Sequence, residues 1–327
     1  MIKKRVLSGI QPTGKLHLGN LIGAVENWVK LQTEHQCFFF IADFHALTTA
    51  YAETKHLRSS VKQLTVDLLS AGIDPEKAVL FRQSDVPEHA ELHLIFSMIT
   101  PLSWLERVPT YKGKIDEMKE KDLGTYGFLG YPLLQAADIL IYKADLVPVG
   151  EDQLPHLELT REVARRFNFL YKETFPEPKD ALTNFPVLPG IDGRKMSKSY
   201  GNTIAISDPP EELRKKVGSM ITDPARVKKD DPGHPEVCPV YAYYQVFGKE
   251  MTGTVAEECR SAKRGCVACK KELAEILIKY LAPIHARQAH YQKDQELVAK
   301  ILAAGAAKAR EVASKTLKEA KQAVGLL

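Results

Sequence analysis

Arg5-Val6-Leu7-Ser8-Gly9-Ile10-Gln11-Pro12-Thr13-Gly14-Lys15-Leu16-His17-Leu18-Gly19-Asn20 is the stretch from which the fold can be read. Arg5–Ser8 reads as a short strand, Ser8–Asn20 as a turn of small and polar residues, and Leu18–Gln32 as an amphipathic helix. A turn that leaves a strand and opens a helix offers free backbone N–H groups at the positive end of the helix dipole, which favours phosphate. Gly14 and Gly19 let backbone approach a ligand closely, and His17 adds a donor in the first turn. Glycines also serve any strand-to-helix turn, so alone they assign no ligand.

The alternation continues outward. Cys37–Ala42 reads as a buried strand, His56–Ala71 as a helix with Leu57, Val61, Leu64, Leu68 and Leu69 on one side, and Ala78–Phe81 as a strand. Glu88–Thr100 and Leu133–Tyr142 read as helices, Leu146–Val149 as a strand and Leu154–Phe167 as a helix. Short strands joined by helices predict an α/β fold, a doubly wound parallel sheet covered on both faces. From Ser207 the pattern turns helical: Asp208-Pro209-Pro210-Glu211-Glu212 is a helix start, and long helices are expected over Cys269–Gln292 and Asp294–Val324. The boundary falls near residue 206, giving an α/β domain over 1–206 and an all-helical domain over 207–327.

The 327 residues, 44% hydrophobic and 26% charged, suit an ordinary globular chain of two domains. The longest apolar run, Cys37–Ala42, is far shorter than the roughly 20 residues that cross a bilayer. The opening MIKKRVLSGIQP has no apolar core or cleavage site of a signal peptide, so a cytoplasmic protein is expected. Val255–Leu327 carries 14 Lys and Arg against 8 Asp and Glu, whereas the first 254 residues carry 31 against 33. A basic helical tail fits a polyanion such as RNA, and equally a set of solvated helix faces.

Gly193-Arg194-Lys195-Met196-Ser197-Lys198-Ser199-Tyr200-Gly201-Asn202 places three cations and two hydroxyls between glycines with no apolar period, as a phosphate-binding loop would. The His-x-Gly-Asn element at 17–20 and Lys195–Ser199 together resemble the two signature motifs of class I aminoacyl-tRNA synthetases. The second matches literally. The first departs from the commoner His-Ile-Gly-His, with Leu18 and Asn20 in its second and fourth places. No G-x-G-x-x-G and no Walker A sequence is present, which argues against dehydrogenases and P-loop NTPases.

Three further segments resemble bacterial tryptophanyl-tRNA synthetases: Ser8–Gly14, Ala136-Ala137-Asp138-Ile139-Leu140, and Val147–Gln153 continuing through His156–Arg161. The resemblance covers nearly the whole chain and implies a Rossmann-like catalytic domain and a helical domain that reads the anticodon. It implies that Asp138 accepts the indole N–H, with Tyr131, Gln135, Gln153, His45 and Leu7 around the tryptophan. A buried carboxylate needs a partner in any case, and a core ion pair would serve as well. Gly150, Glu151 and Asp152 would hold the ATP ribose and Val187 the adenine. Gln11, Pro12, Thr13, His17, Gly19 and Asn20 would face the phosphates with Lys195, Met196, Ser197, Lys198 and Ser199. Gln135 three residues before Asp138 also occurs in tyrosyl-tRNA synthetases, so this pair does not separate indole from phenol; the segments at 10–14 and 150–153 favour tryptophan.

By the same resemblance the tryptophan carboxylate attacks the α-phosphorus of ATP, delivered with Mg²⁺, and pyrophosphate leaves. The 2′-hydroxyl of the terminal tRNA adenosine then takes the amino acid. Lys195, Lys198, His17 and Gln11 are the candidate catalytic residues. Implied partners are tRNA(Trp), L-tryptophan and a second copy of the chain, with no membrane and no DNA. A tyrosyl-tRNA synthetase, a small-molecule nucleotidylyltransferase and a non-catalytic RNA-binding paralogue are the alternatives.

Cys238, Cys259, Cys266 and Cys269, four of the five cysteines, fall within 32 residues. The spacing x20, x6, x2 admits scattered core thiols, structural Zn²⁺, or a cluster held by four thiolates. It resembles the iron–sulfur-bearing subset of these synthetases, which implies a [4Fe–4S] cluster. Arg260, Lys263, Arg264, Lys270 and Lys271 lie around it and would face the tRNA.

Overall fold

Alternate side chains of the first strands divide between two apolar layers, and that division builds the fold. Val6, Cys37, Phe39, Ile41 and Leu80 enter one core, and Leu7, Phe38, Phe40 and Phe81 the other. Strands buried on both faces are uninterrupted apolar runs, as Cys37–Ala42 is. The computed structural model describes residues 3–109, 111, 113, 123–182, 188–228 and 230–327. Its sheet has five strands, β1 (Arg5–Ile10), β2 (Gln36–Ile41), β3 (Ala78–Arg82), β4 (Leu146–Val149) and β5 (Lys179–Leu182), in the order β3-β2-β1-β4-β5. All pairs are parallel; Leu7 stands opposite Phe38 and Phe38 opposite Val79. The chain winds outward from β1 through β2 to β3, then returns to the other side of β1 with β4. Ligands of such sheets bind beyond the strands' carboxyl ends where the winding reverses.

The helices that position the site are α1 (Leu18–Asn20), α2 (Glu26–Glu34), α3 (Asp43–Ala50), α4 (Leu57–Ala71), α5 (Glu88–Ser97), α6 (Tyr131–Ile141) and α7 (Leu154–Leu170). A π-helical turn over Leu21–Val25 joins α1 to α2, so the expected helix at 18–32 is continuous but locally wide. The later segment forms α8 (Pro210–Ser219), α9 (Pro239–Phe247), α10 (Thr252–Arg260), α11 (Cys266–Lys293) and α12 (Gln295–Ala323). Asp294 caps α12 by accepting from Leu297 N–H at 2.9 Å. No helix among the described residues is long and apolar enough to cross a membrane.

Helices α11 and α12 do not form a core of their own. Leu273, Leu277 and Leu281 of α11 join the layer of Val6 and Phe39, and Ala309, Ala313 and Leu317 of α12 join that of Leu7 and Phe81. Helix α12 lies along the outer edge of β3, so close that a Cβ on Gly305 would stand 1.9 Å from the Leu80 carbonyl oxygen. Only glycine permits that backbone approach. Gly305→Ala is expected to push α12 off the edge and cost about 2 kcal/mol net of alanine's better helix propensity. Gly253→Ala, where a Cβ meets nothing within 4 Å, is the control that urea melts should show unharmed.

Candidate functional site

Two loops from distant parts of the sequence meet over the carboxyl end of β1. Leu18 N–H donates to Ile204 O at 2.9 Å and Ile206 N–H to Leu16 O at 2.9 Å, zipping the first signature loop to the segment that follows the second. His17 caps α1: its Nδ1 accepts from Asn20 N–H at 3.2 Å, which leaves Nε2 to carry the proton and act as donor. Lys198 reaches across, its Nζ donating to Gly14 O at 3.0 Å and lying 3.4 Å from Thr13 Oγ1. Gly14 has φ +117°, a conformation that favours glycine, and a Cβ there would meet the Lys198 stem at 3.6 Å.

Burial and the nearby Lys198 charge lower His17 to about 4. It is therefore a neutral donor at physiological pH. Between pH 6.5 and 4 the unfolded chain binds a proton that the folded chain resists, so stability falls as the solution is acidified. Over that window the loss is about 3 kcal/mol. Denaturant melts at pH 7 and 4.5 should show this slope, reduced in His17→Gln.

The second loop is shaped by a residue not singled out from sequence. Asn202 is buried; its Oδ1 accepts from Ser197 N–H at 2.8 Å, and its Nδ2 donates to Asp192 Oδ1 at 2.7 Å and Lys195 O at 3.1 Å. A Cβ on Gly190 would meet that amide at 2.4 Å, so Asn202 fills the space a side chain at 190 would take. Met196 is buried beneath the loop and Lys195 is exposed. Burial lowers Lys198 to about 8, opposed by the carboxylate of Asp67.

Asp138 is 1% exposed on α6 and is held by three donors. His45 Nε2, on α3, meets Oδ2 at 2.7 Å; His89 Nδ1, on α5, and Gln83 Nε2, just past β3, meet Oδ1 at 2.6 and 2.8 Å. Burial alone would raise this carboxyl, but His45 and His89 pull it down to about 2, so it is an ionised acceptor. His89 Nε2 lies 2.8 Å from the Tyr142 hydroxyl, which burial keeps protonated and which donates to it. About four lone-pair sites on a carboxylate, three of them taken, leave one on Oδ2 for a further donor.

His45 and Asp138 are thus in direct contact, whereas Gln83, His89 and Tyr142 were missed; Gln83 and His89 follow the end of β3, which was an available signal, and Tyr142 follows α6. Gln135 is half-buried and makes no bond to Asp138. Leu7 and Tyr131 are buried, and the Tyr131 hydroxyl lies 3.5 Å from His156 Nε2. Past β4, Gln153 Nε2 donates to Asp152 Oδ2 at 3.2 Å, and Gly150 gives that carboxylate room, since a Cβ there would stand 2.8 Å from Asp152 Oδ1. Glu151 is exposed. Gln11 O accepts from Thr13 N–H at 2.9 Å, with Pro12 between them. Val187 and the Ser199 side chain lie outside the described residues.

Cys238, Cys259, Cys266 and Cys269 are free thiols that line one cavity with Arg226, Arg264 and apolar side chains. Arg226 Nη1 lies 3.8 Å from Cys266 Sγ, and a Cβ on Gly233 would stand 2.5 Å from Cys259 Sγ. No group of three or more His, Cys, Asp or Glu among the described residues is arranged to hold a metal ion. Arg264 is held by Glu258 at 2.7 Å and by Glu272, so it braces the site rather than projecting from it.

Residues 3–282 match the family described as tRNA synthetases class I (W and Y). The tryptophan–tRNA ligase of Thermotoga maritima is 55% identical over 99% of both chains, and that of Aquifex aeolicus is 46% identical over 98% of this chain and all of its own. The crystal structure of tryptophanyl-tRNA synthetase from Campylobacter jejuni, complexed with ADP and tryptophan, superposes with a TM-score of 0.89 at 34% identity over 98% of this chain and 99% of that one. The chain belongs to the class I aminoacyl-tRNA synthetases of the tryptophan and tyrosine family, on the tryptophanyl branch, and its activity is the ATP-dependent ligation of tryptophan to tRNA.

Proposed function

We propose that Asp138 selects the substrate and that the zipped pair of signature loops, centred on His17 and Lys198, carries the activation step. The observation behind this reading is an ionised, buried Asp138 with one acceptor site left, in a sheet whose two nucleotide loops meet at its carboxyl end. Tryptophan's indole N–H takes that site, with Leu7, His45 and Gln135 around the ring and Gln153 and Tyr131 at the amino group. Its carboxylate, already ionised, attacks the α-phosphorus of Mg²⁺–ATP; the bond to pyrophosphate breaks and the electron pair leaves with it. No general base is needed, so the protein supplies positioning and charge. Lys195 and Lys198 neutralise the departing diphosphate, while His17 Nε2–H, Asn20, the Gln11–Thr13 turn and Gly19 face the phosphates. Gly150, Glu151 and Asp152 hold the ribose and Val187 the adenine. The tRNA 2′-hydroxyl then attacks the adenylate carbonyl; the acyl C–O bond to phosphate breaks, AMP leaves with the electron pair, and the hydroxyl proton passes to a phosphate oxygen. The direct test is pyrophosphate exchange run with each amino acid in turn. Tryptophan alone should support it, and equal exchange with tyrosine would overturn the assignment of the pocket.

Residues 1–206 serve as the catalytic part and 207–327 as the part that reads tRNA(Trp), in a cytoplasmic homodimer. The four cysteines hold a [4Fe–4S] cluster. Its support is the donor set: four thiols outside any disulfide line one cavity, with Arg226 and Arg264 beside them to offset thiolate charge. When bound, such a cluster supplies a rigid cross-link between the starts of α9 and α11 and the end of α10. Protein purified anaerobically should be brown and contain about four iron and four sulfide per chain. A colourless, zinc-loaded protein would refute the iron assignment.

A further inference from the structure

Asp67, on α4, is a carboxylate with no exposure to solvent that the reaction as described does not use. Its Oδ2 accepts from Leu16 N–H at 2.9 Å, the residue before His17. Its Oδ1 accepts from Gln63 Nε2 at 2.8 Å and from Gln288 Nε2 of α11 at 3.0 Å. Burial raises this carboxyl, and the three hydrogen bonds from Leu16, Gln63 and Gln288 work against the rise by holding the charged form. The cations facing it are Lys15 and Lys198. The charged or titratable groups facing Lys198 are Asp67 and His17.

The surroundings show why the carboxylate sits where it does. Helix α11 touches the rear of both nucleotide loops: Gln288 through Asp67 to Leu16, and His285 Nε2 directly to Ile206 O at 2.9 Å. Arg287 Nε donates to Ser70 O at 2.6 Å, fixing α11 against the same helix that carries Asp67. We propose that Asp67 is a positioning residue of the nucleotide site, fixing the first signature loop through Leu16, supplying the counter-charge of Lys198, and tying both to α11 through Gln288. This rests on the assignment of Lys198 to the departing diphosphate.

The charge and the hydrogen bond are separable. Asparagine at 67 keeps an acceptor for Leu16 N–H but removes the anion and the acceptor of Gln63 and Gln288, so the plateau drops, and the Lys198 ammonium loses stabilisation and gives up its proton at lower pH. The readout is the alkaline limb of kcat/KM for ATP in tryptophan-dependent pyrophosphate exchange, which reports the free enzyme. Asp67→Asn should move that limb down by about one pH unit. That shift by itself means about a tenfold loss at pH 8.5 and less than about twofold at pH 6.5. An unmoved limb, whatever the height of the plateau, would overturn the proposal. Asp67→Glu keeps the charge and should hold the limb at the wild-type position with a lower plateau. It decides the matter if the asparagine variant does not fold, since a limb displaced in the glutamate variant also refutes the counter-charge. Lys198→Ala checks the underlying assignment: if its alkaline limb persists, the role of Lys198 fails, whereas a lost limb there beside an unmoved one in Asp67→Asn refutes Asp67 alone.

Discussion

Lys198→Ala is expected to slow tryptophan-dependent pyrophosphate exchange by a factor of about 10²–10³, nearly all of it in kcat. Negative charge grows on the leaving diphosphate as the α-phosphorus bond breaks, so a cation placed there stabilises the transition state more than the ground state. The side chain reaches Gly14 O at 3.0 Å within the turn that precedes α1, whereas Lys195 is exposed on the outer side of its loop. Loss of one such group is worth about 3–4 kcal/mol by analogy with oxyanion donors. The KM for tryptophan should move little, because the amino-acid pocket is built from α3, α5 and α6. Initial rates of exchange at saturating ATP measure the effect, and an unchanged kcat would remove Lys198 from the mechanism.

Phenylalanine should be activated about 10⁴–10⁵ times less efficiently than tryptophan, because it leaves a buried acceptor without its donor. Asp138→Asn should lower kcat/KM for tryptophan by about a hundredfold, the worth of a hydrogen bond to a charged group, and barely alter that for phenylalanine. The same substitution places an amide among His45, His89 and Gln83, all of which donate to the carboxylate. A stability loss of about 3–5 kcal/mol is therefore also expected, and assays belong well below the melting transition. Exchange rates with the two amino acids settle the point: an unaltered tryptophan-to-phenylalanine ratio in Asp138→Asn would place indole recognition elsewhere.

Much of the fold was legible because its strands and helices follow their own periods. The runs at 37–42 and 78–81 are apolar, and the long helix over 295–323 shows as a stretch rich in Ala, Lys and Glu. Strand β5, Lys-Asp-Ala-Leu, was not legible: it is four residues long, pairs only with β4, and has no alternation. The two nucleotide loops declared themselves by composition, and Asp138 by being a carboxylate on an oily helix. Its partners did not, since Gln83 and His89 come from 55 and 49 residues away and meet it only through the order of the strands. Asp67 and Asn202 stayed hidden for the same reason, being ordinary polar residues until tertiary pairing gives each several partners. The packing of α12 on β3 was unreadable as well, because Gly305 within an alanine-rich helix gives no sign of the backbone it touches.

Strand β3 ends at Arg82, yet the helix that covers its outer side begins only at Gln295. While the ribosome adds the intervening two hundred or so residues, the nascent sheet carries an open row of amides and carbonyls. Emergence of the last long helix is what seals it, so a chain cut short before α12 should be a substrate for chaperones and proteases even with every nucleotide-binding residue already in place.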